Sequence, residues 1–171
     1  MVVGFESGSQ KILDNITKGV SVGQYRRFVK DAKKAGLLVH GCFMAGNPGE
    51  TKDTLKETLD FAKSLDLDTV QFFPLMVYPG TEAYKWAHES GFISVSDFSK
   101  WLDGEGLHNC VVNTPDLDAE ELVRFCNTAR RQFYLRPAYM LKKAFRSLVD
   151  SGERERTFRA FKTFSKYIFR Q

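Results

Sequence analysis

The chain has 171 residues, a net charge of +4 and three scattered cysteines. No apolar run reaches the ~20 residues that a membrane-spanning helix needs. The cysteines stand at 42, 110 and 126, too far apart for a disulfide framework, a zinc motif or an iron–sulfur motif, and such usage fits a cytoplasmic protein.

Met1-Val2-Val3-Gly4-Phe5 reads as a short apolar strand running into Glu6-Ser7-Gly8-Ser9, and a helical stretch follows from Gln10 to about Ile16. An amphipathic helix comes next, capped by Ser21 and stopped by Gly36, with Tyr25, Phe28, Val29 and Ala32 on one face. A second strand, Val39 to Ala45, ends in Gly46 and turns through Asn47-Pro48-Gly49 into Glu50-Thr51. Pro48 and Gly49 supply the turn, Thr51 the N-cap, and Glu50 a carboxylate beside a positive helix end. The helix from Lys52 to Leu65 carries Leu55, Leu59 and Ala62 at helical spacing. A third strand, Thr69 to Met76, leads through Tyr78-Pro79-Gly80-Thr81 into a helix from Glu82 to Ser90. This alternation predicts an α/β fold with a mostly parallel sheet and right-handed crossovers. Ligands then belong at the carboxyl ends of the strands.

Beyond Gly91 the pattern changes. Residues 92–117, with Trp101 and Pro115, read as an irregular segment across the strand ends, where Trp101, His108 and Asn109 could line a substrate pocket. From Asp118 the chain reads as helical over 119–134, 137–150 and 153–169. One apolar stripe is Leu122, Phe125, Ala129 and Phe133, and a second is Phe158, Phe161, Phe164 and Ile168. Residues 118–171 hold 13 basic and 6 acidic residues, net +7, so residues 1–117 carry −3. The expected division is 1–91, 92–117 and 118–171. Three βα units fall short of the roughly 200–250 residues of a closed eight-fold barrel, and Met1 leads straight into a strand. The chain is therefore expected to be the carboxyl-terminal part of something larger, and its first 91 residues a partial TIM-like (β/α) barrel.

Gly-Phe-Glu-Ser-Gly-Ser, Lys-Gly, Phe-Met-Ala-Gly-Asn-Pro-Gly-Glu-Thr and Phe-Phe-Pro-Leu-Met-Val-Tyr-Pro-Gly-Thr, in that order and spacing, resemble the fourth to sixth strands of radical S-adenosylmethionine (SAM) enzymes. Within that superfamily the chain is most similar to members with an amino-terminal cobalamin-binding domain, such as anaerobic magnesium-protoporphyrin ester cyclase and hopanoid-pathway relatives. Arg131 to Tyr139 fits their carboxyl-terminal helical extension. The resemblance implies SAM as cofactor and a 4Fe-4S cluster held by a CxxxCxxC loop. That loop is not in this sequence, so the cluster ligands would lie outside the chain and the fragment alone is not expected to be active. It also leaves open a cobalamin domain upstream. The implied partners are the missing half-barrel, that domain and a small-molecule substrate.

By the same resemblance, Glu6 with Ser7 beside it would meet the SAM ribose, whose two hydroxyls suit a carboxylate acceptor. Lys18 would pair with the SAM carboxylate, less firmly than an Arg fork. Cys42 stands where relatives often have Asp. Strand alternation puts His40, Cys42 and Met44 on one face and Gly41, Phe43 and Ala45 on the other. Gly46 would let adenosine approach the backbone, and Leu75 and Met76, after Pro74, would flank adenine.

The parent would cleave SAM reductively to a 5′-deoxyadenosyl radical for methylation, cyclisation or rearrangement. An RNA-modifying methylthiotransferase-like protein and a non-catalytic binding module are the alternatives. No β-rich RNA-binding tail is read, and the tail's aromatics fall at helical spacing, so nucleic acid is not the expected partner. The loop from Gly46 to Thr51 lacks a GK[ST] ending and places Glu50 where a phosphate would sit, which argues against phosphate binding.

Overall fold

A computed structural model of the chain describes residues 1–95, 97–101, 109–149, 152 and 154–159. Three strands, β1 (Val2–Glu6), β2 (His40–Ala45) and β3 (Thr69–Pro74), form one parallel sheet in the order β1-β2-β3. Helices α1 (Gln10–Asn15) and α2 (Val22–Lys34) connect β1 to β2, and α3 (Lys52–Ser64) connects β2 to β3. Then follow α4 (Glu82–Glu89), a short 3-10 turn at Phe98–Lys100, α5 (Ala119–Tyr134) and α6 (Pro137–Val149). The fold is the partial α/β barrel with three parallel βα units and helices after them.

The local chemistry explains the boundaries. Ser21 and Thr51 each form a reciprocal capping box, with Gln24 and Thr54, so both crossover helices start where the sequence puts them. Asp118 caps α5, accepting from the Glu121 N–H at 2.7 Å while Glu121 accepts from the Asp118 N–H. Gly36 ends α2 at φ 75°, a left-handed position that suits glycine. β3 stops at Pro74, two residues short of the expected Met76; Leu75 still donates its N–H to Ala45, and regular pairing ends there.

One face of the sheet is a column of aromatic rings. Phe5, Phe43 and Phe72, one from each strand and at most 1% exposed, stack at 5.3 and 5.1 Å between centroids. Tyr25 of α2 and Phe61 of α3 meet this column edge-on, and Phe125 of α5 meets Phe72 edge-on at 6.2 Å. Such pairings add to the burial of large rings, which dominates the core. Phe28, expected on the buried face of α2, is 38% exposed while Tyr25, Val29 and Ala32 are buried. It lies at the margin of the buried stripe.

A second cluster forms past β3. Trp101 is 6% exposed and packs with Leu75, Val77, Ala87, Val111 and Val112. Its indole N–H donates to the Val95 carbonyl at 2.8 Å. An antiparallel bridge joins Ile93 to Val112, so described residues on either side of this cluster pair with each other.

The chain divides into two compact units, Met1–Arg131 and Gln132–Gln171. In the first, the expected stripe of α5 is realised: Leu122 and Ala129 are fully buried and Phe125 half-buried. In the second, the Arg136 guanidinium lies over the Phe133 ring at 4.1 Å, and Leu141, Phe145, Leu148 and Val149 of α6 are exposed. Residues 154–159 are helical with Phe158 exposed; Phe161, Phe164 and Ile168 lie outside the described residues. Among the described residues no helix is long and apolar enough to cross a membrane.

Candidate functional site at the carboxyl ends of the strands

The parallel register brings the ends of all three strands to one edge. Gly4 pairs with Cys42, and a bulge at Phe5 then sets Glu6 opposite Phe43. Bulges re-aim side chains, and this one coincides with a backbone rarity: Glu6 has φ 61°, the left-handed region that a non-glycine residue enters at a cost of about 1 kcal/mol or more. Its carboxylate Oε1 accepts from Lys18 Nζ at 3.0 Å, with the two side chains 20% and 33% exposed. The pair lies over bare backbone. A Cβ on Gly4 would stand 2.6 Å from Glu6 Oε1 and 3.8 Å from Lys18 Nζ. Thus two oppositely charged groups expected near the cofactor are together and partly exposed.

β2 alternates as the sequence reads: Gly41, Phe43 and Ala45 are buried, whereas His40, Cys42 and Met44 are half-buried on the opposite face. His40 Nδ1 is 2.7 Å from Thr69 Oγ1, and burial lowers its pKa. Burial, with the charge of Glu6 adding to it, raises the pKa of the Cys42 thiol, so Cys42 presents a protonated thiol toward the Glu6 side. Met44 packs against the Trp101 cluster.

Three expected site residues make contacts within the protein. Ser7 is fully buried; its hydroxyl lies 2.9 Å from Thr58 Oγ1 and accepts from the Ser9 N–H, so it fastens the β1–α1 turn to α3. Leu75 is 5% exposed within the Trp101 cluster, leaving half-buried Met76 as the accessible side chain after β3. Gly46, at φ 104°, lies under α5: a Cβ there would come 2.8 Å from Leu122 Cδ1. Its missing side chain admits Leu122 of α5 on that side of the backbone. Of the expected pocket residues, Trp101 is a core anchor. The side chain of Asn109 donates to the Lys100 carbonyl, and His108 lies outside the described residues.

Glu50 is the feature that sequence reasoning missed. It does not simply face the start of α3. Its Oε2 reaches back to accept from the N–H groups of Gly46 at 2.5 Å and Asn47 at 3.0 Å, closing the turn on itself. Burial pushes its carboxyl up to about 7 against the pull of those two donors. Asn47, also buried, donates to the Met44 carbonyl at 3.1 Å. The available signal was a Glu four residues after the glycine that ends a strand, a spacing that fits a carboxylate folded over its own turn.

No protein-family profile matches the chain. It is 34% identical over 142 residues to an uncharacterized methyltransferase of Pyrococcus horikoshii, covering 83% of this chain and 30% of that protein. It is 31% identical over 103 residues to bacteriochlorophyllide d C-8(2)-methyltransferase of Chlorobaculum tepidum, covering 59% and 23%. It is 22% identical over 138 residues to anaerobic magnesium-protoporphyrin IX monomethyl ester cyclase of Rubrivivax gelatinosus, covering 81% and 24%. The chain belongs to the radical SAM superfamily. It spans less than a third of the length of these relatives.

The residues of this radical SAM chain fit one of the expected cofactors and not the other. The Glu6–Lys18 pair beside bare Gly4 fits a ligand with both a diol and a carboxylate. The thiols do not fit a cluster. Cys42 is on the Glu6 face of β2, and Cys126 is buried in α5 with its pKa pushed up to about 12 by burial. Among the described residues no group of three His, Cys, Asp or Glu is placed to hold a metal ion.

Proposed function

We propose that this chain supplies SAM-binding strands of a radical SAM enzyme whose 4Fe-4S cluster is ligated outside it. The observation that carries this reading is the Glu6–Lys18 pair at the end of β1, 3.0 Å apart and accessible over Gly4. Glu6 accepts from the two ribose hydroxyls, and Lys18 meets the methionyl carboxylate as a point charge. Cys42 offers a neutral, weakly polar wall beside them, and Met76 with Pro74 an apolar one for adenine. With cluster and SAM bound, the chemistry supplied is reductive SAM cleavage to a 5′-deoxyadenosyl radical, used for methylation, cyclisation or rearrangement of an organic substrate. The methyltransferase and cyclase relatives support that range. A cobalamin domain elsewhere in the parent is part of the same proposal, as is a cytoplasmic setting.

The test is calorimetric SAM binding to the full-length protein with its cluster intact. Glu6→Ala removes a charge-assisted acceptor and should weaken binding by about 1.5–3 kcal/mol, roughly 10- to 150-fold. Lys18→Ala should cost less, because a flexible ammonium near solvent is screened. Unchanged affinity in Glu6→Ala would overturn the assignment.

A further inference from the structure

Glu50 is 2% exposed, and its two carboxyl oxygens are treated unequally. Oε2 accepts from both Gly46 and Asn47, whereas Oε1 is buried with no hydrogen-bond partner. Asp68 is handled differently. It is also buried, but its Oδ2 is met by the Lys33 ammonium and the Val39 N–H. Among the described residues no Lys or Arg lies within ion-pair distance of Glu50.

The elements around it supply no charge to compensate an ionised carboxylate. From α5 comes Leu122, packed on Gly46, and the neutral thiol of Cys126, which senses the Glu50 charge together with Arg130 and Cys110. At the start of α3, Lys52 is held by Glu121 at 2.7 Å. From α1, Asn15 donates its amide to the Pro48 carbonyl at 2.9 Å. Burying a carboxylate without a cation, and with one oxygen bare, costs several kcal/mol, whereas the neutral acid is far cheaper to bury. Both accepted bonds fall on Oε2, which the carbonyl oxygen of a neutral acid can take, while Oε1 carries no partner in either form.

We propose that Glu50 is a positioning residue that fixes the backbone at the carboxyl end of β2 as a neutral acid, and that loss of its proton loosens the Gly46–Asn47 turn. The inference rests on the reading of this strand end as part of the SAM-binding edge. Glu50 touches no ligand itself; it acts through the two amides and through the seat they give Leu122.

Native-state amide exchange of Gly46 and Asn47 tests this in the 171-residue chain, with Val70 of β3 as reference, from about pH 5.5 to about pH 8.5. In the wild type, protection of the two amides relative to Val70 should fall about thirtyfold between those pH values. Glu50→Gln, which mimics the neutral acid, should keep protection level at all pH values. Glu50→Ala should lose it at all pH values. A flat wild-type profile, Glu50→Ala amides as protected as wild type, or Glu50→Gln falling with pH as wild type does would each overturn the proposal. The cofactor reading fails differently: a turn that behaves as described, while SAM affinity ignores Glu6→Ala, supports the role of Glu50 and removes that of Glu6.

Discussion

Glu6 and Lys18 lie twelve positions apart in sequence and 3.0 Å apart in space, and the pairing holds Glu6 in left-handed backbone at φ 61°. A glycine would adopt that conformation without strain. The presence of a glutamate there means that its carboxylate compensates for, or outranks, a local cost. Glu6→Gly should therefore be more stable than Glu6→Ala by about 1 kcal/mol, since alanine keeps the strain and loses the pair. Urea denaturation of the two variants checks this. Equal stability would mean that the backbone at Glu6 relaxes freely.

Gly46 is constrained twice, by φ 104° and by Leu122 Cδ1, which lies 2.8 Å from where a Cβ would stand. Gly46→Ala should cost about 2–3 kcal/mol, from backbone strain and overpacking together. Adding Leu122→Ala relieves the overpacking alone. A double-mutant cycle should therefore show a favourable coupling of about 1 kcal/mol, with the strain remaining. Full additivity would place the whole cost in the backbone.

The titration of Glu50 has a definite sign in stability. Its folded carboxyl is raised from 4.5 to about 7. Its contribution is therefore fully present below the unfolded value and is lost as pH rises toward and through the folded one. Relative to Glu50→Gln, the wild type should lose about 3 kcal/mol between about pH 4.5 and pH 8. Denaturation curves of both proteins at the two pH values measure this. A constant difference would show that the carboxyl titrates normally.

β1 ends the sheet on one side, and Val2 is 73% exposed. An open apolar edge templates pairing. The 171-residue chain should associate as concentration rises, by light scattering, and Val2→Lys should suppress it. A clean monomer at all concentrations would show that the edge is already blunted.

Much of the fold was legible because its signals are local. Ser21, Thr51 and Asp118 announce helix starts through hydrogen bonds spanning three residues, and the alternation of β2 follows from the pleat alone. Family resemblance assigned Glu6 and Lys18 to one cofactor, but their direct ion pair was not expected. What stayed hidden depends on long-range packing. Nothing near Gly46 in sequence says that Leu122 will sit on it. Nothing near Ser7 says that Thr58 will take its hydroxyl, and nothing near Trp101 that Leu75 and Val111 will enclose it. Glu50 was visible as a helix-start carboxylate, but the direction it turns depends on α5 excluding water from the loop.

The seat of Leu122 on Gly46 gives α5 a mechanical part in the strand end. Because glycine leaves no side chain to absorb a shift, a change in the size of residue 122 is transmitted directly to the backbone that also carries the Glu50 hydrogen bonds. Leu122 and the strand end therefore form one adjustable joint: trimming or enlarging that side chain on α5, with nothing altered on the strands, should reset how the end of β2 is presented.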